Sequence, residues 1–390
     1  EDVKIKDEDD EEDEDDELIN LKPERDDSSF VFSAHTDEVF CLAVTGSGEE
    51  LLASGGKDDC CFVWKPTDGS VLFQCPGHTE SVVCVAFSHD SKYLATGDLN
   101  GMVKAWEMKT GKEVWFFEVA EVQWLTWHQK VSFLLCGAVD GNIWLWNVPH
   151  GHTKMFPNHS GSAVCGSFFS DGKRMCAGYE DGSVNIWDLK TVTSLYSFPP
   201  SPRHHSSSVT CVDCHHGNVL VASGSCDGTV LLIKSSTGQL LNKLSIVTEP
   251  STSRMEQEKE DAADERVESL SFSKSNQYIA VGGASGKVIV YDITTNHVRL
   301  QSNGHNADVV KIVWHPTMQD LLFSSSVDGS VIMWNVRTAQ QVQLYIGHAA
   351  SILDLNISRD GEKIYTASAD HTVRVFETRK KIDCLQLNLC

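Results

Sequence analysis

Serine, histidine and aspartate recur together along this chain: His35 with Ser54 and Asp58, then His305 with Ser324 and Asp328. These are the parts of a nucleophilic triad, in which a base activates a hydroxyl and an acid orients the base. Each set is followed by a tryptophan, Trp64 or Trp334. One catalytic centre does not need its parts repeated in register. A repeated set suits a buried hydrogen-bond network, which fixes local geometry when every member is satisfied. The sharpest metal-like string is Cys211-Val-Asp-Cys214-His215-His216, which superficially matches a haem-attachment pattern. A zinc site would need a second ligand pair, and His204-His205 is the nearby candidate. By repeat register Cys211 aligns with Cys41, Cys84 and Cys165, and Cys214 with Phe87. These are inner-strand positions where cysteine acts as a small hydrophobe. The sequence has neither a Gly-x4-Gly-Lys-Ser/Thr loop nor a Gly-x-Gly-x-x-Gly fingerprint after a strand. No enzyme activity, cofactor or metal is expected.

The elements that position these residues come from a repeat. Apolar stretches end in an anchor at Trp64, Trp106, Trp146, Trp187, Ile233, Tyr291, Trp334 and Phe376, at spacings of 42, 40, 41, 46, 58, 43 and 42. Six residues before each anchor stands Asp58, Asn100, Asp140, Asp181, Asp227, Ser285, Asp328 or Asp370. Glycine follows in six of the eight. Asp-Gly and Asn-Gly between alternating apolar runs signal tight hairpins, because these residues tolerate positive φ. Histidine, often after glycine, stands upstream at His35, His78, His159, His205, His305 and His348. The combination resembles the WD-repeat family over about residues 28–380, which implies an all-β, eight-bladed β-propeller. An open edge strand would template aggregation, so the ring needs closing. Ser28-Ser-Phe-Val-Phe-Ser33 is expected to pair with the last repeat; Ile382-Asp-Cys-Leu-Gln-Leu387 is the competing closer. The expected organisation is a disordered acidic tail over 1–27 and a propeller over 28–390. A mobile polar insertion at 246–265 accounts for the longest spacing.

Charge is concentrated rather than spread. Acidic residues number 55 against 32 basic ones, a net of −23, which argues against direct nucleic-acid binding. Residues 1–20 hold 13 acids and two bases, and such a run cannot bury enough surface to offset its ordering entropy. No apolar run reaches membrane-spanning length, and the acidic start is the reverse of a secretory leader. The 13 cysteines lack a disulfide-like rhythm and read as free thiols in a reducing compartment. The cytosol is the expected location, with the nucleus as a second.

In WD proteins, partners often contact the start of each inner strand and the residue before the turn aspartate, on the top face. Carried across by register, the resemblance points to Glu38, Phe40, Val83, Leu99, Glu121, Glu180, Glu268, Asp308, Val310 and Leu353. The full set of such positions has five acids against two bases, interleaved with apolar groups. That pattern suits a basic peptide with a few hydrophobic anchors.

Several stretches go beyond the generic repeat: Val39-Phe-Cys-Leu-Ala43, Gly55-Gly-Lys-Asp-Asp-Cys-Cys-Phe-Val-Trp64, Gln123-Trp-Leu-Thr-Trp-His128 and Gly141-Asn-Ile-Trp-Leu-Trp-Asn-Val-Pro149. Together with the acidic start they resemble the angio-associated migratory cell protein family, which includes a fungal dedicated chaperone of a large-subunit ribosomal protein. The resemblance implies a monomeric, non-enzymatic binding module that captures a basic ribosomal protein and delivers it to assembly. The alternative it implies is an adaptor in signalling, cell migration and angiogenesis, or a ubiquitin-ligase substrate receptor. For the last, Trp187-Asp-Leu-Lys190 approaches the Trp-Asp-x-Arg pattern with lysine in place of arginine.

Overall fold

Alternating apolar residues between turn signals pair as predicted. The structure is a computed structural model that describes residues 23–157, 161–246 and 265–378. Among these, 32 strands form eight four-stranded antiparallel sheets, the blades of a β-propeller. Blade one runs from its inner strand Val39–Val44 through Leu52–Gly56 and Cys61–Trp64 to its outer strand Val71–Gln74. Inner strands of neighbouring blades pack against each other all the way round.

The turn before each anchor strand demands a left-handed residue. Gly101, Gly141, Gly182, Gly228, Gly286 and Gly329 all sit at φ between 73° and 89°. Asp59 and His371 hold the same place in blades one and eight, at φ 59° and 67°. Glycine also leaves room: a Cβ on Gly286 would lie 2.2 Å from the His305 carbonyl oxygen.

Closure uses the N-terminal strand. Phe30–Phe32 pairs with Val373–Glu377, Phe30 opposite Val375 and Phe32 opposite Val373. Phe32 then stacks on Trp64 of blade one at 4.1 Å, tying the composite blade eight to its neighbour. Ile382–Leu387 lies outside the described residues. Every seam is a sandwich of two blades; one joins Phe32, Tyr365 and Val373 to Val39, Leu42 and Trp64.

Two expected boundaries need correction. The acidic tail is expected to run to residue 27, yet the Asp27 N–H donates to the Ile346 carbonyl at 2.8 Å, and Asp26 pairs with Arg374. Backbone and charge partners on blades seven and eight fix this acidic stretch. The insertion is expected over 246–265, but Ile246 is buried in the core between blades five and six. Glu265 pairs with the buried Lys287 at 2.8 Å. Residues 247–264 lie outside the described residues.

Candidate functional site

The first turn of each inner strand is irregular in the same way in every blade. Pairing with the second strand skips one residue, a β-bulge. The skipped residues are Phe40, Val83, Gln123, Val164, Thr210, Glu268, Val310 and Leu353. All eight are partly exposed. A bulge frees a residue from the ladder and re-aims its side chain, which here places a ring at the mouth of the central channel. One residue further out, the pre-turn N–H donates to the carbonyl of the residue that leads into the strand. The pairs include Lys57 to Glu38, Leu99 to Ser81, Val139 to Glu121, Glu180 to Ser162 and Val327 to Asp308, at 2.8–3.1 Å. The register-derived positions thus come together on one end of the molecule, blade by blade.

Their charges are not equivalent. Arg266 Nε lies 3.4 Å from Glu268, and its NH2 group lies 3.4 Å from Asp308. Lys311 donates to Asp354 at 2.6 Å, one step further into the channel. One guanidinium thus spans both Glu268 and Asp308, so these two candidate carboxylates stand beside a positive charge. Blades two to four are more open. Glu121 and Glu180 are exposed, with the Gln123 amide at 3.2 Å from the first and the Ser162 N–H at 3.4 Å from the second among the described residues. Leu99 and Val139 flank them, 37% and 43% exposed. This sector pairs carboxylates with apolar contact area. Glu38 and Phe40 continue the rim on blade one, and Val310 and Leu353 on blades seven and eight.

The Ser-His-Asp sets have the connectivity of a triad and the surroundings of a strut. His35 reaches Asp58 at 3.0 Å and Ser54 at 2.9 Å, while Trp64 Nε1 donates to Ser54 at 3.3 Å. His305 repeats this with Asp328, Ser324 and Trp334. Ser54 and Ser324 are wholly buried, so no substrate reaches either hydroxyl. Burial alone would raise the Asp58 and Asp328 carboxyls, but the histidine hydrogen bonds outweigh it. Asp58 is lowered, and Asp328 is brought down to about 2. Blade two departs from register: His78 is held by Asp98 at 2.7 Å, and Asn100 bonds only Thr79. Blade six has no such histidine, and Lys287 donates instead to Glu265 and the Ile246 carbonyl.

The metal-like string is spent on packing. Cys211 accepts from Thr210 Oγ1, and burial pushes its thiol up to about 12. His215 Nδ1 accepts the Gly217 N–H at 3.0 Å. Cys41, Cys84 and Cys165 occupy the same inner-strand position as Cys211, all with thiols raised by burial. Blade three places Trp124 there. Its indole bonds the Ala163 carbonyl at 2.9 Å, and a Cβ on Gly137 or Gly166 would come within 2.0 or 2.2 Å of it.

The WD domain, G-beta repeat signature matches residues 27–65, 69–107 and 151–188. The Nucleolar protein 10-like, N-terminal domain signature matches 196–377. Angio-associated migratory cell protein of Homo sapiens is 37% identical over 354 residues, 90% of this chain and 80% of that protein. The chain belongs to the angio-associated migratory cell protein family. Ribosome assembly protein SQT1 of Saccharomyces cerevisiae is 26% identical over 379 residues, 89% of this chain and 85% of that protein. Among solved structures, Chaetomium thermophilum Sqt1 bound to the N-terminus of ribosomal protein L10 matches with TM-score 0.80 at 22% identity. The match covers 91% of this chain and 100% of that one, a likeness of fold. In this member of the angio-associated migratory cell protein family, Val139 belongs with the candidate residues, and its pre-turn position was the signal. The Arg266 clamp had no signal of its own, since its geometry depends on how blades six and seven meet.

Proposed function

We propose that this chain is a non-catalytic carrier that holds a newly made, basic large-subunit ribosomal protein on its top face and releases it into ribosome assembly. The observation that carries the reading is the asymmetric rim, with exposed Glu121 and Glu180 beside Leu99 and Val139, around a ring of bulge residues rich in apolar groups. The names of the relatives supply the cargo class. A free ribosomal protein carries excess positive charge, and desolvated contact with carboxylates plus apolar anchors would mask it until assembly competes it away. The carrier acts as a monomer in the cytosol.

The test is titration calorimetry of the chain with the N-terminal peptide of ribosomal protein L10. Saturable one-to-one binding that weakens with salt is expected. Glu121→Lys with Glu180→Lys should weaken it at least about tenfold, since like charges at a contact cost several kcal/mol. Glu268→Lys should do less, because the first effect is to repel Arg266. Affinity unchanged by the Glu121 and Glu180 reversals, or insensitive to salt, overturns the reading. Affinity purification from cytosol provides the independent check; a receptor, kinase or ligase subunit in place of a ribosomal protein would support the adaptor reading instead.

A further inference from the structure

One sector of the opposite end of the propeller is basic. Between blades three and four lies a groove of about 750 Å³ with Phe133, Leu145 and Leu189 in its wall and Lys154, Lys173 and Lys190 on its rim. A second groove of about 480 Å³, between blades two and three, shares Phe133 and Asn147 with the first and adds Lys92 and Lys130. The two linings together carry five lysines against two aspartates, Asp90 and Asp188, on a chain whose net charge is −23. Both aspartates are already engaged. Asp90 pairs with Lys92 at 2.8 Å, and Asp188 Oδ1 accepts the N–H groups of Lys190 and Thr191 at 2.9 and 2.8 Å. Lys154 donates to the carbonyls of Leu189 and Lys190 at 2.9 and 3.0 Å, pinning the seam and setting the groove's shape. Lys130, Lys173 and Lys190 are exposed.

We infer that this bottom face docks a short, extended acidic segment of a partner protein, its bulky aliphatic side chain seated between blades three and four and its carboxylates on the lysine rim. Charge complementarity and the apolar wall select that occupant together. Nucleic acid fits less well. Phe133 and Tyr93 are only partly exposed and offer no stacking platform, and a longer polyanion would run onto the acidic remainder of the chain. The site is separate from the top face and does not depend on the carrier reading.

The experiment is fluorescence anisotropy on the full chain with a labelled Glu-Glu-Leu-Glu-Glu-Leu-Glu peptide as the probe. Expected are saturable binding that weakens with salt and a loss of at least about tenfold in Lys173→Glu with Lys190→Glu. A similar loss is expected when the peptide leucines become serine. Glu121→Lys with Glu180→Lys on the top face, and Lys109→Glu with Lys112→Glu on blade two's outer edge, should leave the affinity unchanged. The inference is overturned by absence of saturable binding or by equal loss in either control pair. It is also overturned if an RNA oligonucleotide or a phosphatidylserine vesicle binds more tightly through the same lysines. A tenfold or greater gain on deleting residues 1–22 would assign the groove to the chain's own acidic segment and overturn a separate partner.

Discussion

His78 shows how a single side chain can keep the repeat's chemistry after its usual partner has gone. In the other histidine-bearing blades described the acid comes from the turn, as Asp58, Asp227, Asp328 or Asp370. Blade two has Asn100 at that turn position, and the carboxylate comes instead from Asp98, two residues earlier and wholly buried. The His78 ring also bonds Thr96 at 2.7 Å, and Trp106 Nε1 bonds the same hydroxyl at 3.0 Å. Removing Asp98 leaves two hydrogen-bond partners, the buried His78 ring and the Met102 N–H, without their acceptor. Asp98→Ala is therefore expected to cost about 1–3 kcal/mol in denaturant unfolding. Asn100→Ala, at an exposed position, should stay within about 0.5 kcal/mol. Equal costs at the two sites would return the acid's role to the turn. Register alone finds the turn and misses Asp98, because the substitution is visible only once His78 is seen to face it.

At the scale of elements, hairpins, register and closure were legible, because each is set by local turn chemistry and period-two alternation. Turn residues six positions before each anchor, six of them followed by glycine, mark the eight anchor strands, and Ser28–Ser33 stands where an outermost strand belongs. Contacts between blades were not legible. Arg266 reaches Asp308 across 42 residues, and Trp124 needs glycines on both sides of a seam, at 137 and 166. Glu265 sat in a polar run and read as loop, although it neutralises a lysine buried 22 residues later. The closing strand gives the element-scale prediction. Phe32 is 4% exposed and fills the blade-eight to blade-one seam. Phe32→Ala should destabilise by about 3–5 kcal/mol, through lost burial and a cavity against Trp64. A chain truncated to begin at Ala34 exposes Val373–Glu377 as an unpaired edge and is expected to aggregate on size-exclusion chromatography. A chain beginning at Pro23 keeps the Asp26–Arg374 pair and the closing strand, and it should elute and melt as the full chain does. A soluble, cooperatively melting chain from Ala34 would show that closure is dispensable.

Across the whole molecule, the ring's cohesion is tied to protonation in two separate pH windows. Histidines at the bottom ends of inner strands brace the next blade: His128 Nε2 lies 3.1 Å from the Gly172 carbonyl oxygen, and His215 Nε2 3.4 Å from that of Asn276. Burial lowers His128, His215 and His315 below 6.5. It also lowers His348, even though Asp370 pulls the other way. For these groups the unfolded chain binds protons first, so their contribution is complete above pH 6.5 and is lost as pH falls through their folded values. The turn aspartates act lower. Asp58, Asp227, Asp328 and Asp370 lie below 3.8 because histidine and backbone hydrogen bonds outweigh burial, and they give up their contribution only as pH falls below about 4. Asp213 runs against both. Burial in an inner strand raises it to about 6, so it favours the folded state as pH falls from 6 towards 3.8 and loses that contribution as pH rises through 6. His216 is lowered by burial as well, and five histidines against one carboxyl set the expected sign. Tm, followed by scanning fluorimetry from pH 8 to pH 5, should be level above about pH 7 and fall below pH 6.5. His215→Gln with His315→Gln should flatten that fall. Asp213→Asn should steepen it, because the one opposing group no longer titrates. A Tm that rises on acidification to pH 5 in the wild-type chain would mean that Asp213 outweighs the histidine braces.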